Sequence, residues 1–188
     1  MKQYEMRFTG SGGQGVILAS VIFAEAGVIA GKQTVQSQAY GPEARGGTSK
    51  AETILSDNKI WFSKVVRPDF LLSMNQSSLD QFGPQLSKDA VLLMDDSLSI
   101  PKGIKTNHII ALPIIRTAQE VVGREVAANI IAVGAINAAL GLFSDEVITE
   151  AVQRHIPKGT EALNTRALAA GKALAAKKER TRFVQEAV

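Results

Sequence analysis

The stretch Gly10-Ser11-Gly12-Gly13-Gln14-Gly15 places glycines in the pattern G-x-G-x-x-G. Without side chains, backbone N–H groups there can touch phosphate oxygens, and a helix starting directly after the loop favours negative charge. A nicotinamide dinucleotide site would also need an acid on the second strand for the ribose hydroxyls. That stretch reads Gln33-Thr34-Val35-Gln36-Ser37-Gln38 and contains no acid. The loop also lacks the Lys-Ser/Thr pair that an ATP-hydrolysing phosphate loop requires. Two readings stay open: a cradle for a phosphate-bearing ligand other than NAD, and a turn that only packs helix on strand.

A second loop, Tyr40-Gly41-Pro42-Glu43-Ala44-Arg45-Gly46-Gly47, excludes regular structure by its Pro and Gly content. Arg45 lies among small residues, so little shields its guanidinium, which suits bidentate contact with phosphate or carboxylate. Glu43 could hold that arginine in place or cap a partner's helix. The alternative is a surface ion pair of little worth.

Other chemistry is sparse. With no cysteine, the chain cannot offer a disulfide framework, a thiolate nucleophile or thiolate ligands for an iron–sulfur cluster. His108 and His155 are far apart and lack metal-ligand spacing. Asp95-Asp96 follows a strong apolar run, where α/β proteins place ligand-handling acids, but a turn or helix cap is the preferred reading. The serines lie in no nucleophile-elbow pattern. No catalytic or metal-binding residue is assigned.

The elements that must position these loops follow from periodicity. Met6 to Thr9 reads as a strand, and Val16 to about Gly31 as a helix apolar on nearly every side and therefore buried. Thr34 to Gln36 reads as a second strand. Thr48 to Leu55, the turn Ser56 to Lys59 and Ile60-Trp61-Phe62 read as a hairpin. Trp61 and Phe62 then suit either a core or a partner contact. Phe70 to Met74 and Ala90 to Met94 suit central strands, joined by a helix near Gln76 to Phe82. His108 to Leu112 is a further strand. Helices follow at about Arg124 to Leu140, Asp145 to His155 (Ser144 as N-cap) and Thr160 to Lys178. Ala167, Ala169, Ala170, Ala173, Ala175 and Ala176 allow close helix packing, internal or against another subunit. The fold expected is a layered α/β/α domain with a mixed, mostly parallel sheet and a helical C-terminal third.

The chain has 188 residues, 45% of them hydrophobic, with net charge +3. That composition fits one packed domain over residues 1–188 rather than a disordered chain. From Arg154 onward there are eight Lys/Arg against three Glu, leaving 13 against 15 before it. The basic tail, expected to fray from about residue 177, lacks the interleaved aromatics of a nucleic-acid binder. The longest apolar run, Val16 to Ala30, is too short for a membrane span and contains Glu25. A soluble, cytoplasmic protein is expected, with neither nucleic acid nor membrane as partner.

Together the two loops, with Ser56-Asp57 and Pro68-Asp69, resemble the gamma subunit of 2-oxoacid:ferredoxin oxidoreductases, the 2-oxoglutarate type above all. Ser63 departs from that pattern, where a proline is expected. The resemblance implies a complex that decarboxylates a 2-oxoacid oxidatively, transfers the acyl group to coenzyme A and reduces ferredoxin. Thiamine diphosphate, Mg and iron–sulfur clusters would lie on partner subunits (alpha, beta and a ferredoxin-like delta). This chain alone would be inactive. The implied coenzyme A contacts are Gly10, Gly12, Gly13, Gln14, Gly15, Tyr40, Glu43, Arg45, Gly46 and Gly47, with Asn129 as a third element. A purely structural assembly subunit, or a pyruvate or branched-chain version of the complex, remains an alternative.

Overall fold

In a computed structural model of the chain, residues 3–40 and 48–179 are described. Glu43, Arg45, Gly46, Gly47 and the tail from residue 180 lie outside the described residues. The elements run β1 (Gln3–Ser11), α1 (Val16–Ile29), β2 (Gln33–Tyr40), β3 (Thr48–Ser56), β4 (Phe70–Ser73), α2 (Gln76–Phe82), β5 (Val91–Asp95), β6 (His108–Leu112), α3 (Ile114–Thr117), α4 (Ala128–Leu140), α5 (Asp145–His155) and α6 (Glu161–Glu179).

The strands form one sheet in the order β2-β3-β1-β4-β5-β6. β1, β4, β5 and β6 run parallel, and β3 lies antiparallel to both β1 and β2. Side chains alternate across the pleat, so each buried strand feeds two cores. Met6, Phe8, Phe70 and Leu72 face α1 and α4, with the Phe8 and Phe23 rings 5.7 Å apart. Leu71, Leu92 and Met94 face the other way, onto Leu79, Phe82 and Leu86. Helices therefore cover both faces, thickly on one and thinly on the other, as expected of a layered domain.

α4 is buried from Ala128 to Asn137, which explains why it is apolar all round. α1 lies between the sheet and the helices α4 and α5. Ser144 caps α5 as expected, accepting from Val147 N at 3.4 Å.

Two expectations are corrected, and one helical stretch is new. Ile60 to Phe62 is not a strand, because β3 already has β1 on one edge and β2 on the other, leaving no edge to pair. The helix expected from Arg124 starts at Ala128, after a 3-10 turn over Glu125–Ala127. Residues 114–122 are helical, ending in a π turn over Ala118–Val122, and were not anticipated. Of the alanine face, Ala167 and Ala175 are buried, on a helix packed against α4 within the chain; Ala169, Ala173 and Ala176 are exposed.

Candidate functional site

The glycine loop leaves the carboxyl end of β1 and feeds the N-terminus of α1. Gly13 (φ 95) and Gly15 (φ 70) adopt left-handed conformations that only glycine takes cheaply. Gly12 and Gly13 are exposed. Gly15 is the N-cap of α1, with no side-chain cap and no acid in the first turn, so the helix's free N–H groups and positive end stay available to an anion.

Two side chains hold the loop in shape. Gln14 Oε1 accepts from Ser11 N at 2.8 Å, and its Nε2 donates to Met74 O at 2.9 Å. The Gln14 amide thus ties the loop to the end of β4. Asn129, at the start of α4 and 6% exposed, packs on Gly15. A Cβ at Gly15 would stand 2.5 Å from Asn129 Nδ2 and 2.9 Å from Asn129 Cβ. Asn129 Oδ1 accepts from Ile130 N at 2.8 Å. Sequence spacing could not show this contact, because it depends on how α4 crosses the start of α1.

The register places the ends of β2 and β3 beside the glycine loop. Ser11 is opposite Thr48, Gly10 opposite Ser49, and Ser49 in turn opposite Tyr40. Tyr40 and Thr48, the described residues nearest the second loop in sequence, therefore lie at the sheet edge that carries the glycine loop. This is also where the connections change direction, from β3 on one side of β1 to β4 on the other, the crevice where open α/β sheets hold ligands.

Asp95 and Asp96 lie further along the same edge. Asp95 is 1% exposed; its Oδ1 accepts from Ser97 N at 3.1 Å and its Oδ2 from Ile115 N at 2.9 Å. It is a cap joining β5 to α3, as the turn-or-cap reading has it. Asp96 pairs with exposed Arg116 at 3.2 Å, beside an open cleft of about 560 Å³. His108 is exposed on β6, and His155 sits at the end of α5, 3.4 Å from Glu25. Among the described residues no cluster of His, Cys, Asp and Glu gathers as a metal site, and no helix is long and apolar enough to cross a membrane.

The displaced titrations lie away from this edge. Burial, helped by Asp69, pushes the Tyr4 hydroxyl up to about 12. Burial raises Asp69, which accepts from Glu5 N at 2.7 Å. Both sit toward the opposite end of β1. Among the described residues, the glycine loop itself offers fixed backbone donors.

A family profile described as "Pyruvate ferredoxin/flavodoxin oxidoreductase" matches residues 5–174. The chain is 38% identical over 172 residues to 2-oxoglutarate synthase subunit KorC of Methanocaldococcus jannaschii, spanning 89% of this chain and 91% of that one. It superposes on a keto/oxoacid ferredoxin oxidoreductase gamma subunit from Geobacter sulfurreducens PCA with a TM-score of 0.84, at 43% identity and covering 94% and 98% of the two chains. A third likeness, TM-score 0.82 at 22% identity, shows the fold alone. It is to a 2-oxoglutarate:ferredoxin oxidoreductase from Magnetococcus marinus, solved with 2-oxoglutarate, coenzyme A and succinyl-CoA bound, and it covers 94% of this chain but 32% of that one.

Proposed function

Because the chain belongs to the pyruvate ferredoxin/flavodoxin oxidoreductase family, we propose that it is the gamma subunit of a cytoplasmic 2-oxoglutarate:ferredoxin oxidoreductase whose loops help hold coenzyme A. The complex would convert 2-oxoglutarate, coenzyme A and oxidised ferredoxin into succinyl-CoA, carbon dioxide and reduced ferredoxin.

The observation that carries the coenzyme reading is the pairing of Ser11 with Thr48. It brings the ends of the Arg45 loop to the exposed glycine amides at the start of α1. Coenzyme A carries several phosphate charges, and these groups suit them: backbone N–H donors, an uncapped helix N-terminus and one arginine. In this reading Gly12, Gly13 and Gly15 supply main-chain donors, Arg45 a charge, and Gln14 and Asn129 hold the loop in shape.

The chain's residues do not suit the other groups of the reaction. Iron–sulfur clusters are held chiefly by thiolates, and the chain has no cysteine. Among the described residues no carboxylate cluster is placed to hold Mg. In this reading thiamine diphosphate, Mg and the clusters lie on the alpha, beta and delta subunits, as the family resemblance implies. A purely structural role is the second reading, favoured by the consumption of the Gln14 amide inside the loop.

The test is to assemble the complex with and without this chain and to follow ferredoxin reduction with 2-oxoglutarate, pyruvate and branched 2-oxoacids. Turnover should need this chain and coenzyme A, and should favour 2-oxoglutarate. An assembly lacking the chain that keeps its rate and its KM for coenzyme A would overturn the reading.

A further inference from the structure

Between β3 and β4, residues 57–69 form no helix or strand, yet the segment is clamped. Arg7 Nη2 donates to Val65 O at 3.0 Å, Val66 N donates to Glu5 Oε2 at 3.2 Å, and Asp69 N donates to Glu5 O at 2.8 Å. Arg7 is itself fixed, 4% exposed, through Nε to Glu52 Oε1 at 2.8 Å and Nη1 to Gln85 Oε1 at 3.0 Å. Val65 is tucked in at 6% exposure.

The strap's outward side is apolar. Trp61 is 84%, Phe62 58% and Val66 67% exposed, three of the seven exposed large apolar side chains among the described residues. Lys59 Nζ lies 4.3 Å from the centre of the Trp61 ring. Lys59, Lys64 and Arg67 are exposed, and Asn58 to Arg67 contains no acid. Neither Lys64 nor Arg67 pairs with an acid among the described residues. The sequence before Arg154 is otherwise net acidic, so this positive charge is local to the strap.

Exposed aromatics flanked by cations on a pinned segment have the make-up of an interface anchor, with little ordering cost on binding. In the Magnetococcus enzyme this fold is 32% of one longer polypeptide. The KorC relative and the Geobacter gamma subunit are matched over 91% and 98% of their own chains, and in subunits of that size surface contacts must do what a covalent connection does in the Magnetococcus enzyme.

We propose that the strap Asn58–Arg67 docks on an acid-rimmed apolar surface of another polypeptide of the oxidoreductase. Trp61 and Phe62 are the anchors; Lys59, Lys64 and Arg67 meet carboxylates at the rim. This rests on the subunit reading above and extends it to a specific surface. The strap lies toward the amino end of β1, and the glycine loop follows its carboxyl end, so docking leaves the coenzyme edge free.

The experiment titrates the full chain onto the subcomplex of the remaining subunits. W61A/F62A should weaken binding at least about 30-fold, the size of a lost hot spot. K59E/K64E/R67E should weaken it too and abolish the weakening by salt that the wild type shows. Both variants should keep the chain's own Tm, and V28A, which alters an exposed apolar residue elsewhere, should bind normally. Unchanged binding by W61A/F62A overturns the docking proposal alone. So does a dimer of the isolated chain that this variant dissociates, or loss of oligonucleotide binding without loss of assembly. If the wild-type chain binds no other subunit, the subunit reading itself fails.

Discussion

Ser11 and Thr48 face each other across the β1–β3 ladder, although the helix α1 and the strand β2 separate them in sequence. Ser11 is the last residue of β1 before the glycine loop, and Thr48 is the first residue of β3 after the arginine loop. One antiparallel register therefore brings the start of β3, which follows the arginine segment in sequence, beside the glycine loop.

Arg45→Ala should raise the dissociation constant for coenzyme A by roughly ten- to a hundredfold. A lost charge-assisted hydrogen bond is worth about 1.5–3 kcal/mol, and each 1.4 kcal/mol is about tenfold. Calorimetry on the assembled complex checks this, with the KM for 2-oxoglutarate as control. Equal affinity in the variant would remove Arg45 from the site.

Gly15→Ala should destabilise the chain and disorder the loop. Left-handed φ costs a non-glycine residue about 1–3 kcal/mol, and the new Cβ would also meet Asn129 at 2.5 Å. Gly13→Ala carries the backbone cost alone, since nothing lies within 4 Å of its Cβ position. Denaturant unfolding should therefore rank Gly15→Ala below Gly13→Ala. Making Gly15→Ala in an Asn129→Ala background should recover part of the difference, because contacting residues couple. Strictly additive losses would show that Asn129 does not support the loop.

Elements signalled by their own residues were legible in the sequence. The apolar run marks α1, the Ser144 cap marks the start of α5, the glycine pattern marks the β1–α1 turn, and alternation marks β3. What escaped depends on residues distant in the chain. The start of α3 is held by Asp95, 20 positions earlier, so no local cap announces it. Ile60 to Phe62 is as apolar as a strand, but the sheet has no free edge beside β3. That Gln14 ties the loop to Met74 emerges only once β4 is placed beside β1. The buried pair of Arg7 and Glu52 needs the register that sets them opposite each other. Arg45 and its neighbours were singled out from sequence, and the sheet register explains where their loop begins and ends.

Acid should weaken the docking of α5 on α1. Arg154, with His155 second, holds the Glu25 carboxyl below its ordinary value of 4.5. A carboxyl depressed in the folded state stabilises the fold above its unfolded pKa, and that stabilisation is lost as the pH falls through the folded value. Glu25→Gln should therefore lower the Tm near pH 7, by no more than about 3 °C given the exposure of the pair. The two proteins should converge as the pH drops below 4.5. High salt should shrink the gap at neutral pH. A difference that does not shrink as the pH falls below 4.5 would mean that packing, not charge, separates the two proteins.

Gly171→Ala gives the sharpest check on how the C-terminal helix sits. In a solvent-exposed helix this change stabilises, by about 0.5–1 kcal/mol. Here a Cβ at Gly171 would lie 1.9 Å from Ile131 O, and one at Gly134 would lie 2.2 Å from Leu168 O. The backbones of α4 and α6 thus touch through two reciprocal glycines, flanked on α6 by the buried Ala167 and Ala175. Neither carbonyl can move without shifting its helix. The substitution must push α6 outward and strip packing from α4, a cost of about 1–3 kcal/mol for an overfilled contact. At about 2–4 °C per kcal/mol for a chain of this size, the Tm should fall by several degrees. Ala173→Ser, at an exposed position on the same helix, should leave it nearly unchanged. The sign decides the matter: a Tm that rises with Gly171→Ala would place α6 away from α4.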